Sequence, residues 1–384
     1  MLHSSLDRPH DPFGAPEPGY SIDVERRLIS AYRSLVSSAT AAPSFARARQ
    51  LALGALNEQM SVRQRMRVFY VLGTALIAGD DTETIERGIE YVQQAMAVAA
   101  SIPDWLAWVE LSYLAGSAKS SVLKYAEATR FYTAGLATAQ SIQEDDGDVL
   151  TDLEYSLLLG TAYAKYLLGE SDAAARLLVA SRGLTASSLI PLHATGSMYW
   201  MEALVLRWDA QPEEALVCAL KANDIYERAT TPTERLSYGR LQTVITDIAL
   251  DVVERLPPGT GRDAMLAFSE PLTQRASAVA RRFDDTIGGH LATLTQARWN
   301  RMAGRDIATH EAIWRVVGAA EDIGDAALQA QAHTAFGYDL LARGWRDAGL
   351  NSFRQTLKDL RSTQIPAMGK WARGKLIEAS REAR

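Results

Sequence analysis

A single cysteine, Cys218, stands in the 384 residues. No disulfide can form within the chain, which sets it apart from small secreted scaffolds and favours a reducing compartment. Long apolar runs are also missing. The longest, Leu157 to Leu168, contains Lys165 and falls short of the roughly 18 residues that a membrane span needs. The first twenty residues carry Pro9, Pro12, Pro16 and Pro18 in place of the apolar stretch of a signal peptide. They read as a flexible lead before a folded region of residues 21–384, and the chain reads as cytoplasmic with no membrane contact. Basic charge is not in excess. The formal net charge is −6 and the pI about 5.6, unlike a general nucleic-acid binder, so direct nucleic-acid binding is not expected. The six histidines lie too far apart in sequence to form a metal pair on one helix face. No metal and no cofactor is expected.

Apolar residues at helical spacing are abundant. Leu28, Ala31, Tyr32, Leu35 and Val36 step by three and four, as do Phe69, Leu72, Gly73 and Leu76. Strand-like alternation is scarce. Breakers recur instead: Ala42-Pro43, Gly79-Asp80-Asp81, Ile102-Pro103-Asp104, Asp145-Asp146-Gly147, Gly169-Glu170-Ser171, Ile190-Pro191, Gln211-Pro212, Pro257-Pro258-Gly259, Gly288-Gly289, Gly304-Arg305-Asp306, Gly324-Asp325, Gly344 and Ile365-Pro366. Helical segments of roughly 15 to 22 residues lie between them, with Pro near starts and Gly near ends. The pattern predicts an all-α chain of about eight helical hairpins. Their bounds are 21–58, 61–100, 103–142, 148–183, 190–229, 233–284, 285–321 and 325–362, and a helix near 367–382 caps them. The sixth is the least regular because of its Pro257-Pro258-Gly259-Thr260-Gly261 turn.

Two stretches repeat one pattern. Leu159-Gly160-Thr161-Ala162-Tyr163 precedes a turn at Gly169-Glu170 and then Ala173, Leu177 and Ala180. Phe336-Gly337 precedes Gly344-Trp345, Ala348 and Phe353, and Pro366 closes the segment. Weaker copies begin at Leu72-Gly73 and precede Ala128/Tyr132 and Ala215/Ala219. Glycine or alanine lets two helices approach, and Tyr132, Tyr163 or Phe353 fills the space alongside. This arrangement resembles the tetratricopeptide repeat family, in the form of a divergent bacterial array, with a spacing of about 40 to 46 residues against 34 for the strict repeat. The resemblance implies a right-handed α-solenoid in which each hairpin covers its apolar face with the next, one continuous array over 21–384.

Motifs for catalysis are incomplete. The segment from Pro257 to Gly261 is like part of a phosphate-binding loop, but Leu256 replaces the first glycine, Arg262 the lysine and Asp263 the metal-binding hydroxyl. A helix–helix turn is the plainer reading. His310-Glu311 opens like a zinc-protease motif and lacks its second histidine. Cys218, among Val217, Ala219 and Leu220, reads as a small buried apolar residue. The pairs Asp145-Asp146, Glu213-Glu214 and Asp284-Asp285 fall at turns or helix starts, where carboxylates cap free amides.

In tetratricopeptide proteins the first helix of each hairpin lines the concave face. The resemblance therefore implies groove positions at Arg67, Tyr70, Thr74, Tyr113, Lys165, Trp200, Arg207, Arg240, Arg298, Arg301 and Tyr338. Basic and aromatic groups on one face suit a protein or peptide that is acidic or ends in a free carboxylate. Such arrays resemble the sensor halves of peptide-responsive regulators. Residues 1–60 show no clear recognition-helix pattern, which leaves an adaptor, a stand-alone signal receptor or an assembly chaperone open. The alternative is an enzyme or small-molecule-binding protein with an aromatic-lined cavity inside a helical toroid. Homodimerisation through an array end stays open; the basic residues Lys370, Arg373, Lys375, Arg381 and Arg384 suit a solvated cap there.

Overall fold

The structure is a computed structural model that describes residues 18–35, 44–78, 82–142, 150–185, 190, 192–228, 230–305, 309–362 and 365–382. Most of the proline-rich lead and the breakers at Ala42-Pro43, Gly79 to Asp81, Asp145 to Gly147, Pro191 and Asp306 lie outside the described residues. Every regular element among the described residues is helical, in agreement with the expected all-α fold class. The chain packs as two compact units, residues 1–165 with 172–191, and residues 166–171 with 192–384.

The first unit holds hairpins α1 (Ile22–Leu35) with α2 (Phe45–Leu56), α3 (Val62–Ile77) with α4 (Thr82–Ser101) and α5 (Trp105–Ser121) with α6 (Tyr125–Ile142). Most of α7 (Thr151–Leu167) and α8 (Ser171–Leu184) completes it. The second unit holds α9 (Leu192–Trp208) with α10 (Pro212–Tyr226), and α11 (Pro232–Arg255) with α12 (Thr260–Arg282). It continues through α13 (Thr286–Met302) with α14 (Thr309–Ile323) and α15 (Ala326–Ala342) with α16 (Arg346–Asp359) to α17 (Pro366–Glu382). These are the eight hairpins and final helix read from the breakers. The sixth is the longest, with 24 residues in α11 and 23 in α12. Its Pro257-Pro258-Gly259 stretch is the turn between them, and Thr260 opens α12.

Local chemistry sets the ends. Ser61 accepts from the Gln64 amide while the Gln64 side chain returns to the Ser61 amide, and Thr231 and Glu234 repeat the exchange at α11. Asp104, Asp285 and Asp325 cap α5, α13 and α15 through their carboxylates. The turns share one closure. Trp345 N donates to Leu340 O at 2.9 Å around Gly344 (φ +80°), and Arg305 N to Asn300 O at 2.9 Å around Gly304 (φ +67°). Gln211 N does the same to Leu206 O at 2.9 Å, but there the left-handed residue is Ala210 (φ +62°), which carries the Cβ penalty that glycine avoids.

Apolar burial is distributed between neighbours. One cluster joins α1, α2 and α3, another α3, α4 and α5, and a third α5, α6 and α7. In the second unit one cluster spans α9 to α12 and another α13 to α15. Small residues set the spacing. The Tyr132 ring wedges between Gly116 of α5 and Gly160 of α7, and a Cβ built at those glycines would fall 2.5 Å and 2.7 Å from it. Phe353 of α16 fills the notch at Gly337 of α15, where a Cβ would lie 2.7 Å from the ring. Tyr163 packs edge-on against Tyr125 with ring centres 6.3 Å apart.

Two substitutions test this packing by urea denaturation. Gly116→Ala is expected to lower stability by about 1–3 kcal/mol through overpacking against Tyr132. Gly318→Ala, at an exposed helical position with open space around it, is expected to raise it by about 0.5–1 kcal/mol. Separately, Ala210→Gly is expected to stabilise the chain by about 1 kcal/mol by relieving the left-handed turn, which a rise in the melting midpoint would register.

Candidate functional site

The second unit places its first helices side by side: α11 against α13, α13 against α15, and α15 against α17. Helix α11 governs what they enclose. Leu241, Ile245, Ile248, Ala249, Leu250 and Val253 of α11 are fully buried. Asp247, Asp251 and Glu254 occupy a stripe at i, i+4 and i+7, the spacing that aligns side chains on one helix face. Asp247 and Asp251 are half-buried beside this apolar core and Glu254 is exposed at its edge, and charge partly removed from water there is stabilised by paired cations.

Arginines from both sides supply them. Arg207, at the end of α9, brings Nε within 2.6 Å of Asp251 Oδ2 and Nη1 within 3.6 Å of Asp247 Oδ2. Arg298 of α13 brings Nη2 within 2.6 Å of Asp251 Oδ1 and 3.0 Å of Glu254 Oε1. It also donates from Nη1 to the Asp247 carbonyl at 3.1 Å. Thr295 Oγ1 donates to Asp247 Oδ1 at 3.1 Å. Glu254 lies further within 3.4 Å of Lys375 Nζ on α17 and 3.9 Å of Arg301 Nη2. Arg301 in turn lies over the Tyr338 ring, 4.4 Å from its centre.

Titration follows from these contacts. Burial by itself would raise the Asp251 carboxyl, but Arg207 and Arg298 outweigh it and hold the group well below the usual carboxylate range. Glu254 is lowered for the same reason, burial being overcome by Arg298 and Lys375. The guanidinium groups of Arg207 and Arg298 are pushed up by the same carboxylates against the opposing effect of burial. Acids held so firmly as anions are poor proton carriers at neutral pH, so the stripe is suited to binding and not to acid–base work. Among the described residues no group of three His, Cys, Asp or Glu side chains could hold a metal ion.

The network lines a cavity of about 100 Å³, whose lining also includes Leu291, Leu294, Ile313 and Ala335. The Thr334 hydroxyl in that lining is spent on the Ala330 carbonyl of its own helix. A wider cleft of about 590 Å³ shares lining residues with it and adds Arg255 and Arg262. Tyr338, Trp371 and Lys375 border both.

Of the expected groove positions, Arg207, Arg298, Arg301 and Tyr338 thus converge on this cleft. Their charge differs from the expectation of a basic face, because the α11 carboxylates pair with them. Arg240 lies elsewhere, donating from Nε and Nη2 to Asp285 at 2.8 Å and so tying α11 to the start of α13. Trp200 packs edge-on against Tyr226, with centres 6.3 Å apart. In the first unit Arg67 pairs with Glu25 at 2.8 Å, with both side chains largely covered. Tyr70 stacks on Tyr32 with centres 5.9 Å apart, and Lys165 is half-buried. Thr74 and Tyr113 correct the expected register. Both are buried, Thr74 bonding to the Tyr70 carbonyl of its own helix and Tyr113 of α5 packing on Tyr132 of α6 inside its own hairpin. Asp247, Asp251, Glu254, Trp371 and Lys375 are site residues that the groove reading missed. The spacing of Asp247, Asp251 and Glu254 at i, i+4 and i+7, the first two inside the largely apolar stretch Val244 to Val253, was the available signal.

The fold and cleft define an all-α helical-repeat protein of the tetratricopeptide-like, α-solenoid class. No protein-family model matches the chain, and no curated protein matches it by sequence. Solved structures do. A Rap protein complexed with competence and sporulation factor superposes with a TM-score of 0.56 at 10% identity, covering 94% of this chain and 98% of that one. A signal transduction ATPase with numerous domains from Pyrococcus horikoshii, which has a tetratricopeptide repeat sensor, gives 0.50 at 12% identity. That match covers 88% of this chain and half of the other protein. At such identities the likeness concerns the fold. No helix among the described residues is long and apolar enough to cross a membrane.

Asp251→Asn tests this network. The variant is expected to lose about 3 kcal/mol at pH 7, since two covered arginines lose their common anion. The native carboxyl is depressed, so its stabilisation is present above about pH 4 and fades as pH falls below that value. Urea titrations at pH 7 and pH 3 should therefore show the gap between variant and parent narrowing in acid.

Proposed function

We propose that this chain binds a protein or peptide segment in the cleft of its second unit and serves as a cytoplasmic scaffold or sensor with a regulatory role. The observation that carries the reading is the delivery of Arg207, Arg298, Arg301, Tyr338 and Trp371 to one cavity by three first helices, α9, α13 and α15, and by α17. Arginine and large aromatics are the side chains most often responsible for tight recognition. Support also comes from the Rap protein of the same fold, which was solved with a factor bound. The lone buried Cys218 suits a reducing compartment.

The ligand chemistry that fits best is anionic. Arg298, Arg301 and Lys375 surround Glu254, Arg298 serving Asp251 as well and Lys375 also Glu378, and the wider cleft is lined by five cations, Arg207, Arg255, Arg262, Arg301 and Lys375, against the three carboxylates Asp251, Glu254 and Glu378. An incoming acidic side chain or C-terminal carboxylate can share these cations in charge-assisted hydrogen bonds. The aromatic rings then flank the peptide backbone, and the inner cavity accepts an apolar side chain.

Selection from a displayed library of peptides with free C-termini tests this. Peptides rich in acidic groups or relying on the terminal carboxylate should be enriched. Arg301→Glu should weaken them by about thirtyfold or more, the scale of a binding hot spot. Enrichment of peptides that bind the variant equally well, or no enrichment, counts against the reading. Arg301 suits the test better than Arg298, whose loss would also strip Asp251 of a partner.

A further inference from the structure

The final helix does more than cover the end of the repeat. Trp371 and Lys375, at i and i+4 on one face of α17, border the inner cavity and the outer cleft alike. Lys375 crosses to Glu254 of α11, 121 residues away in sequence, at 3.4 Å while also pairing with Glu378 of its own helix at 3.1 Å, and its side chain is only 16% exposed there. Helix α17 therefore lies along the opening instead of merely behind it.

Its anchorage is light. The fully buried residues on α17 are Met368, Ala372 and Ala379, two of which offer a single methyl group each, and the larger Trp371 and Leu376 are only half-buried. Gly369 and Gly374 stand inside the helix, where each costs helix stability relative to alanine. Packing requires neither. A Cβ at Gly374 would meet nothing within 4 Å, and one at Gly369 only the end of the flexible Arg373 side chain at 3.7 Å. The contrast with Gly337 and Gly116, which are fixed by rings pressed against them, is plain. These two glycines weaken a helix without improving its fit, and they flank Trp371.

We infer that α17 is a displaceable gate over the cleft, held by the Lys375–Glu254 pair and released when an anionic ligand takes Lys375 from Glu254. Resting on the binding role proposed above, the inference supplies the moving part. A carboxylate entering the cleft competes directly with Glu254 for the ammonium group, so occupancy of the site and the position of α17 are linked. A helix of low intrinsic stability opens at small cost, and regions that move on binding are drawn from the least stable elements.

The test reads access to the cleft without any ligand. In the full chain, with Cys218→Ala as background, Ala335→Cys places a thiol on the cavity lining and N-ethylmaleimide measures its exposure. Lys375→Glu should speed labelling by at least about threefold, since the pair turns repulsive. Gly369→Ala with Gly374→Ala should slow it, by about fivefold for each glycine. Hydrogen exchange on the unsubstituted protein gives an independent reading: amides of 366–382 should exchange far faster than those of Ala326–Ala342. Labelling that is the same in all variants, or exchange across 366–382 as slow as across α15, overturns the gate. Either result leaves the peptide selection to stand or fall separately, because no ligand is used here.

Discussion

A helical hairpin of this size has an apolar stripe on each of its two rods and too little surface of its own to cover both. The remainder has to be hidden by the next hairpin, and that requirement organises the whole molecule. Buried clusters therefore fall between successive hairpins, joining α1 to α3, α3 to α5 and α5 to α7. The distance at which hairpins stack is then set by which side chain can be absent. Glycine at 116 and 160 admits the Tyr132 ring from both sides, and glycine at 337 admits Phe353. The same constraint brings first helices edge to edge in the second unit, and the cleft is the surface that this alignment leaves uncovered.

Charge enters as a consequence. Helix α11 is packed on so many sides that its remaining stripe, Asp247, Asp251 and Glu254, sits close to the core and partly out of water. Carboxylates in that position are tolerated only with cations fixed opposite them, and Arg207 and Arg298 are fixed by the helices that carry them. The result is a wall whose polar groups are held in place before any ligand arrives, which lowers the ordering cost of binding. Near Glu254 the balance tips toward positive charge, and there the wall meets α17.

Much of the fold was legible in the sequence. The breakers placed eight hairpins and the final helix, since turn residues act locally and helix periodicity survives divergence. Gly160 and Gly337 with their large neighbours identified the packing rule. The site was legible only in part, because facing positions depend on helix rotation, and one position changes direction by about 100°. Arg207, Arg298, Arg301 and Tyr338 come together around one cavity, whereas Thr74 and Tyr113 are buried, Tyr113 against Tyr132 of its own hairpin. The α11 carboxylates went unread for another reason. Asp247, Asp251 and Glu254 look like ordinary solvated charges until the neighbours on either side are known, and those neighbours are about 45 residues away, as Arg207 and Arg298 are from Asp251.

Stacking of hairpin upon hairpin is the claim on which the cleft, its charges and its final helix all depend. Hydrogen exchange after Phe353→Ala addresses it most directly. Removal of a fully buried ring of this kind costs about 3–5 kcal/mol. Nearest-neighbour stacking predicts faster exchange in α15, α16 and the helices next to them, with α1 to α5 unchanged. A uniform increase across the whole chain would show one cooperative globule and contradict the account.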